Sequence, residues 1–196
     1  MAPRKPVVRR PSVASTGPHA RPGTDPDTLR LTALLGRPPM GAFEVTVRDA
    51  AGDPVVIRNA PLLDDGTPMP TRYWLVGSDL RRRVDRLEAA GGVRRAEAEV
   101  PAPLVADAHR RASLERDAAM PDDWEGPRPS GGVGGTRQGV KCLHAHLAWH
   151  LAGGDDAVGR WTAQKLAGTA EGAPATTPST TPWPRCPPAP RAKGRR

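Results

Sequence analysis

Aromatic side chains are scarce in this chain: one Tyr, one Phe and five Trp among 196 residues. Cysteine occurs only twice, and no window approaches the roughly 20 consecutive apolar residues of a membrane-spanning helix. Each shortage excludes a class. Two cysteines cannot form a disulfide scaffold, and without a long apolar run or sustained heptads neither an integral helical membrane protein nor a coiled coil is expected. The start, MAPRKPVVRRPSV, is charged but is not followed by the roughly 7–15 apolar residues of a secretory signal. A cytoplasmic setting with reduced thiols is the expectation.

What is abundant is Gly (21), Pro (24) and positive charge, with 29 Lys+Arg against 21 Asp+Glu, a formal net charge of +8. That excess is not spread evenly. Residues 1–26 carry Arg4, Lys5, Arg9, Arg10 and Arg21 against Asp25, and residues 169–196 carry Arg185, Arg191, Lys193, Arg195 and Arg196 against Glu171. Both ends are rich in proline and lack a sustained apolar period, so they read as disordered basic tails. Between them, 27–168 is charge-balanced and reads as one domain. The predominance of Arg over Lys fits a GC-rich genome without any selection for guanidinium chemistry. Tails of this kind bind phosphate backbones weakly, and nucleic-acid association through them is one expectation.

Within 27–168 the apolar periods predict an α+β fold: a small, mainly antiparallel sheet of about three strands covered by about five helices. Leu31, Leu34 and Leu35 recur at helical spacing after Asp27, with Gly36 as a C-terminal cap. Phe43, Val45 and Val47 alternate with polar residues as in a half-buried strand, Gly52-Asp53-Pro54 makes a turn, and VVIRN and RYWLV follow as strands. Ser78 is placed to cap a helix reaching about Ala90, 93–100 is open between strand and loop, and 104–119 reads as a weakly apolar helix. The last unit is the clearest. Val140, Leu143, Leu147 and Leu151 form an apolar stripe on a helix over 140–152, and Asp155 is placed to cap a successor that turns Val158, Trp161 and Leu166 inward.

Chemistry-bearing residues concentrate in KCLHAHLAWH. At about 100° per residue, Cys142, His146 and His150 fall on one helical face, each four residues from the next. This is the spacing by which a helix grips a metal such as zinc. Cys142 and His150 are separated by about 12 Å along the axis, so one ion could take only one adjacent pair, with further ligands drawn from His109, Asp64, Asp65, Asp122 or Asp123. The competing reading is of hydrogen-bonding histidines in a packed helix. Cys142 with His146 also offers a thiol beside a base. The preceding SGGVGGTRQGVK departs from a P-loop, because Val140 intervenes before Lys141 and Cys142 stands in place of the hydroxyl residue. A looser anion- or partner-binding edge formed by Arg137, Lys141, His144 and His146 is expected instead.

GRPPMGAFEVTVR (36–48), DDGTPMPTRYWLV (64–76) with SDLRRRVDRLEAAGG, and GVKCLHAHLAWHLAGGDDAVGRW (139–161) together resemble the actinobacterial domain of unknown function 501. The resemblance covers about 29–166 and brings no catalytic residues; Met69 stands where the family motif has a larger aromatic. The resemblance implies a gene neighbourhood that often includes a septum-formation initiator and an exopolyphosphatase, and with it the expectation of a cytoplasmic context and a hint of division or polyphosphate metabolism. The expected function is a non-catalytic binding or adaptor domain for an anionic ligand or partner protein. The alternatives are a metal-dependent hydrolase of a phosphorylated substrate built on His146, and nucleic-acid association through the tails.

Overall fold

The computed structural model describes residues 25–168 and Thr177–Pro178. The sequence breaks itself into elements at its glycines and prolines. Asp25 accepts a hydrogen bond from the Thr28 amide and Pro26 opens the first helix, α1 (Pro26–Leu35), which Gly36 closes at φ 73°. The cap is therefore Asp25, while Asp27, in the first turn, pairs its carboxylate with Arg48.

Strands β1 (Phe43–Arg48) and β2 (Pro54–Asn59) form an antiparallel hairpin, and β3 (Tyr73–Leu75) adds to the other side of β2. A fourth two-residue strand, β4 (Thr177–Pro178), pairs with the outer edge of β1. The rest of both expected tails lies outside the described residues. The alternation in β1 predicts one buried face, but register shifts around Val47 exchange the two sides of the strand. Val45 joins Ile57, Val76 and Leu31 beneath α1, whereas Val47 packs with Val56 and Leu75 on the opposite face. Thr46 between them is buried as well, with its hydroxyl donating to the Val56 carbonyl. The sheet is thus covered on both faces.

The second face carries the helices α2 (Ser78–Ala89), α3 (Gly92–Glu99), α4 (Ala102–Ala118), α5 (Leu143–Leu151) and α6 (Ala157–Gly168). Segment 93–100, open between strand and loop from sequence, is helix α3. Its Arg, Ala and Glu residues are strong helix formers, and its only buried side chain, Ala96, is too little to create a visible apolar period. Ser78 is the first helical residue, with Gly77 at the cap. Fold class and element order otherwise match the sequence reading. No helix among the described residues is long and apolar enough to cross a membrane.

Helix α5 runs through the middle of this layer. Leu143, Ala145, His146, Leu147, Ala148 and Trp149 are all buried, because the sheet lies on one side of it and α6 on the other. The expected stripe of Val140, Leu143, Leu147 and Leu151 does face the main core, although Val140 precedes the helix proper. The residues that can carry chemistry sit at the entry of α5 and along its length.

Candidate functional site

Cys142 does not belong to the helical period. It is the N-cap of α5, in extended conformation at φ −155° and ψ 147°, so a wheel that counts from Cys142 misplaces it. Its Sγ lies within 4.8 Å of a ring nitrogen of His144. Glu88, at the end of α2, completes the corner: its Oε1 accepts the Leu143 amide at 2.5 Å and lies 3.2 Å from His144 Nδ1. One turn earlier on α2, Asp85 Oδ1 lies 3.1 Å from His144 Nε2. Ligand atoms of Glu88, Cys142 and His144 all fall within 4.8 Å of one another, and no other such trio occurs among the described residues.

Burial pulls the pKa of His144 down, but its neighbours Cys142, Glu88 and Asp85 outweigh it and leave the ring above its ordinary 6.5. A raised folded-state value means the charged ring contributes fully below pH 6.5, and that contribution is lost as pH rises through the folded value. His144→Gln should therefore flatten the decline in stability across that window. Denaturant midpoints measured from pH 5.5 to 8.5 would check this, and parallel profiles for the two proteins would refute it.

His146 is 1% exposed and points inward. Its Nδ1 lies 2.7 Å from Oδ2 of the fully buried Asp156, and Nε2 has no hydrogen-bond partner among the described residues. Oδ1 of Asp156 accepts the Val158 and Gly159 amides at 2.9 and 3.0 Å, so Asp156, rather than the expected Asp155, caps α6. The His109 ring stands 5.6 Å from that of His146. His109 is itself engaged at both nitrogens: Nε2 is 2.8 Å from the Gly139 carbonyl, and Nδ1 accepts the Val133 amide at 3.1 Å. These two histidines tie α4, α5, α6 and the preceding loop together.

The glycine-rich loop is fastened, not free. Ser113 Oγ and Arg116 Nη1 from α4 both donate to the Gly131 carbonyl, and Gly132 donates to Thr136 to close a turn over 132–136. A Cβ on Gly132 would stand 2.4 Å from His109 Cβ, so only glycine fits there. The amides of Gly132, Val133, Gly135 and Thr136 are spent on Thr136, His109 and the turn itself, and the first amide of α5 is spent on Glu88. Beside the turn, Arg137 and Lys141 are exposed and form no ion pair among the described residues; Lys141 Nζ reaches only the Gly134 carbonyl, at 3.4 Å.

A narrow cleft adjoins the same turn, lined by Pro70, Tyr73, Glu115, Gly134 and Trp149 among others. Across it Glu115 accepts the Tyr73 hydroxyl at 2.5 Å and the Trp149 indole N–H at 3.0 Å. Burial, with the charge of Glu115, pushes the Tyr73 phenol far above its ordinary range, so it serves as a hydrogen-bond donor throughout the physiological range.

The expected residues therefore separate into three places. Arg137 and Lys141 are on the surface, Cys142 and His144 meet at the corner with Glu88, and His146 is sealed inside. The structure does not bring Cys142, His146 and His150 together as one ligand group, and it does not place His146 on an edge with Arg137, Lys141 and His144. Of the further ligands considered, only His109 comes near His146, and its nitrogens are engaged. Glu88, Asp85 and Asp156 were not expected. Asp156 could have been found from its position just before an apolar-periodic helix; Glu88 and Asp85 lie more than 50 residues from their partner, and no local pattern announces them.

A family model described as "Protein of unknown function (DUF501)" matches residues 45–164, more than half of the chain. Neither the curated proteins nor the solved structures contain a match.

Proposed function

Because the chain belongs to the DUF501 family of proteins of unknown function, we propose that it is a non-catalytic binding module, acting in the cytoplasm, whose contact face is the fastened glycine turn with Arg137 and Lys141. The ligand is anionic. The observation that carries this reading is the pair of exposed cations, unpaired among the described residues, on a loop that α4 holds in place through Ser113, Arg116 and His109. Arg30, Arg48, Arg111 and Arg160, by contrast, are each paired with a carboxylate. Rigid support limits the entropy lost when a ligand docks, so even two cations can discriminate an anion. The groups suited to acid–base work support a binding role by their engagement: His109, His146, Asp156 and Glu115 each satisfy another part of the core.

Thermal unfolding with inorganic phosphate and tripolyphosphate as probes tests the face. A ligand at 100 times its Kd stabilises a folded protein by about 2.7 kcal/mol. Arg137→Ala with Lys141→Ala should remove that protection, and Arg94→Ala, which deletes an exposed cation on α3, should keep it. Equal protection of all three proteins would reject the face.

A further inference from the structure

We propose that Glu88, Cys142 and His144 form a binding site for one divalent ion of the zinc class. This goes beyond the anion-binding reading and does not depend on it. The donor set selects the ion: a sulfur, an imidazole nitrogen and a carboxylate oxygen suit a borderline-soft cation, whereas calcium and magnesium require oxygen throughout. The geometry is already gathered: the three ligand atoms lie within 4.8 Å of one another.

Each ligand is positioned by something else. Glu88 is held by the Leu143 amide on Oε1, which leaves its other oxygen to turn toward an ion. Cys142 is fixed by its place at the N-cap, and His144 lies two residues on, in the first turn of α5. His144 also has the outer partner that metal-binding histidines use: Nδ1 lies on the Glu88 side, and Nε2 is 3.1 Å from Asp85 Oδ1, an acceptor that would fix the ring's tautomer and orientation. Two anionic ligands against a 2+ ion give a neutral centre. The side chains of His144 and Glu88 are 23% and 25% exposed, so a fourth position opens to solvent. With three protein ligands and one open position, the site resembles exchangeable or reactive zinc centres more than closed structural ones.

The test uses the full chain purified without a polyhistidine tag and titrated with Co2+, then competed with Zn2+. One equivalent should bind, with tetrahedral ligand-field bands and a sulfur-to-cobalt charge-transfer band. Cys142→Ser should abolish the charge-transfer band, and Cys142→Ser or His144→Ala should weaken binding at least about a hundredfold. Asp85→Asn should weaken it by about 10–100-fold, the usual cost of losing an outer partner. Glu88→Gln retains an acceptor for the Leu143 amide, so its loss of affinity would report the ion and not the fold. His150→Gln, on the far turn of α5, should bind as the parent does, and so should Arg137→Ala with Lys141→Ala, which separates this site from the anion face. Absence of the sulfur band, or an affinity unchanged by Cys142→Ser, would overturn the proposal.

Discussion

Asp156→Ala should destabilise the protein by about 3–5 kcal/mol, the range for breaking a buried polar pair by deleting one partner. At roughly 2–4 °C of melting temperature per kcal/mol for a chain of this size, the midpoint should fall by about 10 °C. Three groups lose their acceptor at once. The Val158 and Gly159 amides at the start of α6 are left bare, and so is Nδ1 of a histidine that is 1% exposed. Water cannot reach any of them without opening the α5–α6 interface. Asp156→Asn should cost less, about 1–2 kcal/mol, because one oxygen still caps the helix while an amide group replaces the acceptor facing His146. In a double-mutant cycle, His146→Ala and Asp156→Ala should be coupled within the range of about 0.5–3 kcal/mol seen for residues in contact. Calorimetric midpoints would decide: a loss below about 1 kcal/mol for Asp156→Ala would mean that the pair is not the fastening described.

Gly159→Ala should also destabilise, by about 2–3 kcal/mol, although helix propensity alone predicts a gain of about 1 kcal/mol for the same change. The reason is the approach of α6 to α5. A Cβ at position 159 would stand 2.4 Å from the His146 carbonyl oxygen and 2.5 Å from His150 Cβ. The first neighbour is backbone, so relief requires moving a whole helix and, with it, the Asp156 cap beneath His146. Urea midpoints at an unchanged m-value would measure the loss. A stabilised Gly159→Ala protein would show that α6 can shift without strain.

These two positions show how far the sequence could be read. The helix 157–168 and its inward Val158, Trp161 and Leu166 were plain from spacing, and all three are buried. That its glycine is a contact surface was not, because a glycine in a helical pattern looks the same whether it is a weak point or a close approach. The same holds for the helix before it. Its leucine stripe is legible in the sequence, but its polar side is not. A wheel begun at Cys142 groups residues four apart, whereas the chain is extended at Cys142 and brings His144, two residues away, within 4.8 Å of its sulfur. Where a helix begins decides which side chains share a face, and the entry to this one is set by Glu88 on the Leu143 amide and Glu97 on the Val140 amide, both distant in sequence.

The sequence by itself determined the class of this protein. Apolar periods of 2 and 3.6 fixed a small antiparallel sheet with helices over it, and the charge count excluded a basic binding face as a property of 27–168 as a whole. Those features are local or additive, so they survive without knowledge of the fold. Only the tertiary structure decided what the histidines do. An imidazole takes its role from the group facing each nitrogen. Here these groups are a carboxylate ten residues ahead for His146, a carbonyl thirty residues ahead for His109, and carboxylates at more than fifty residues' distance for His144.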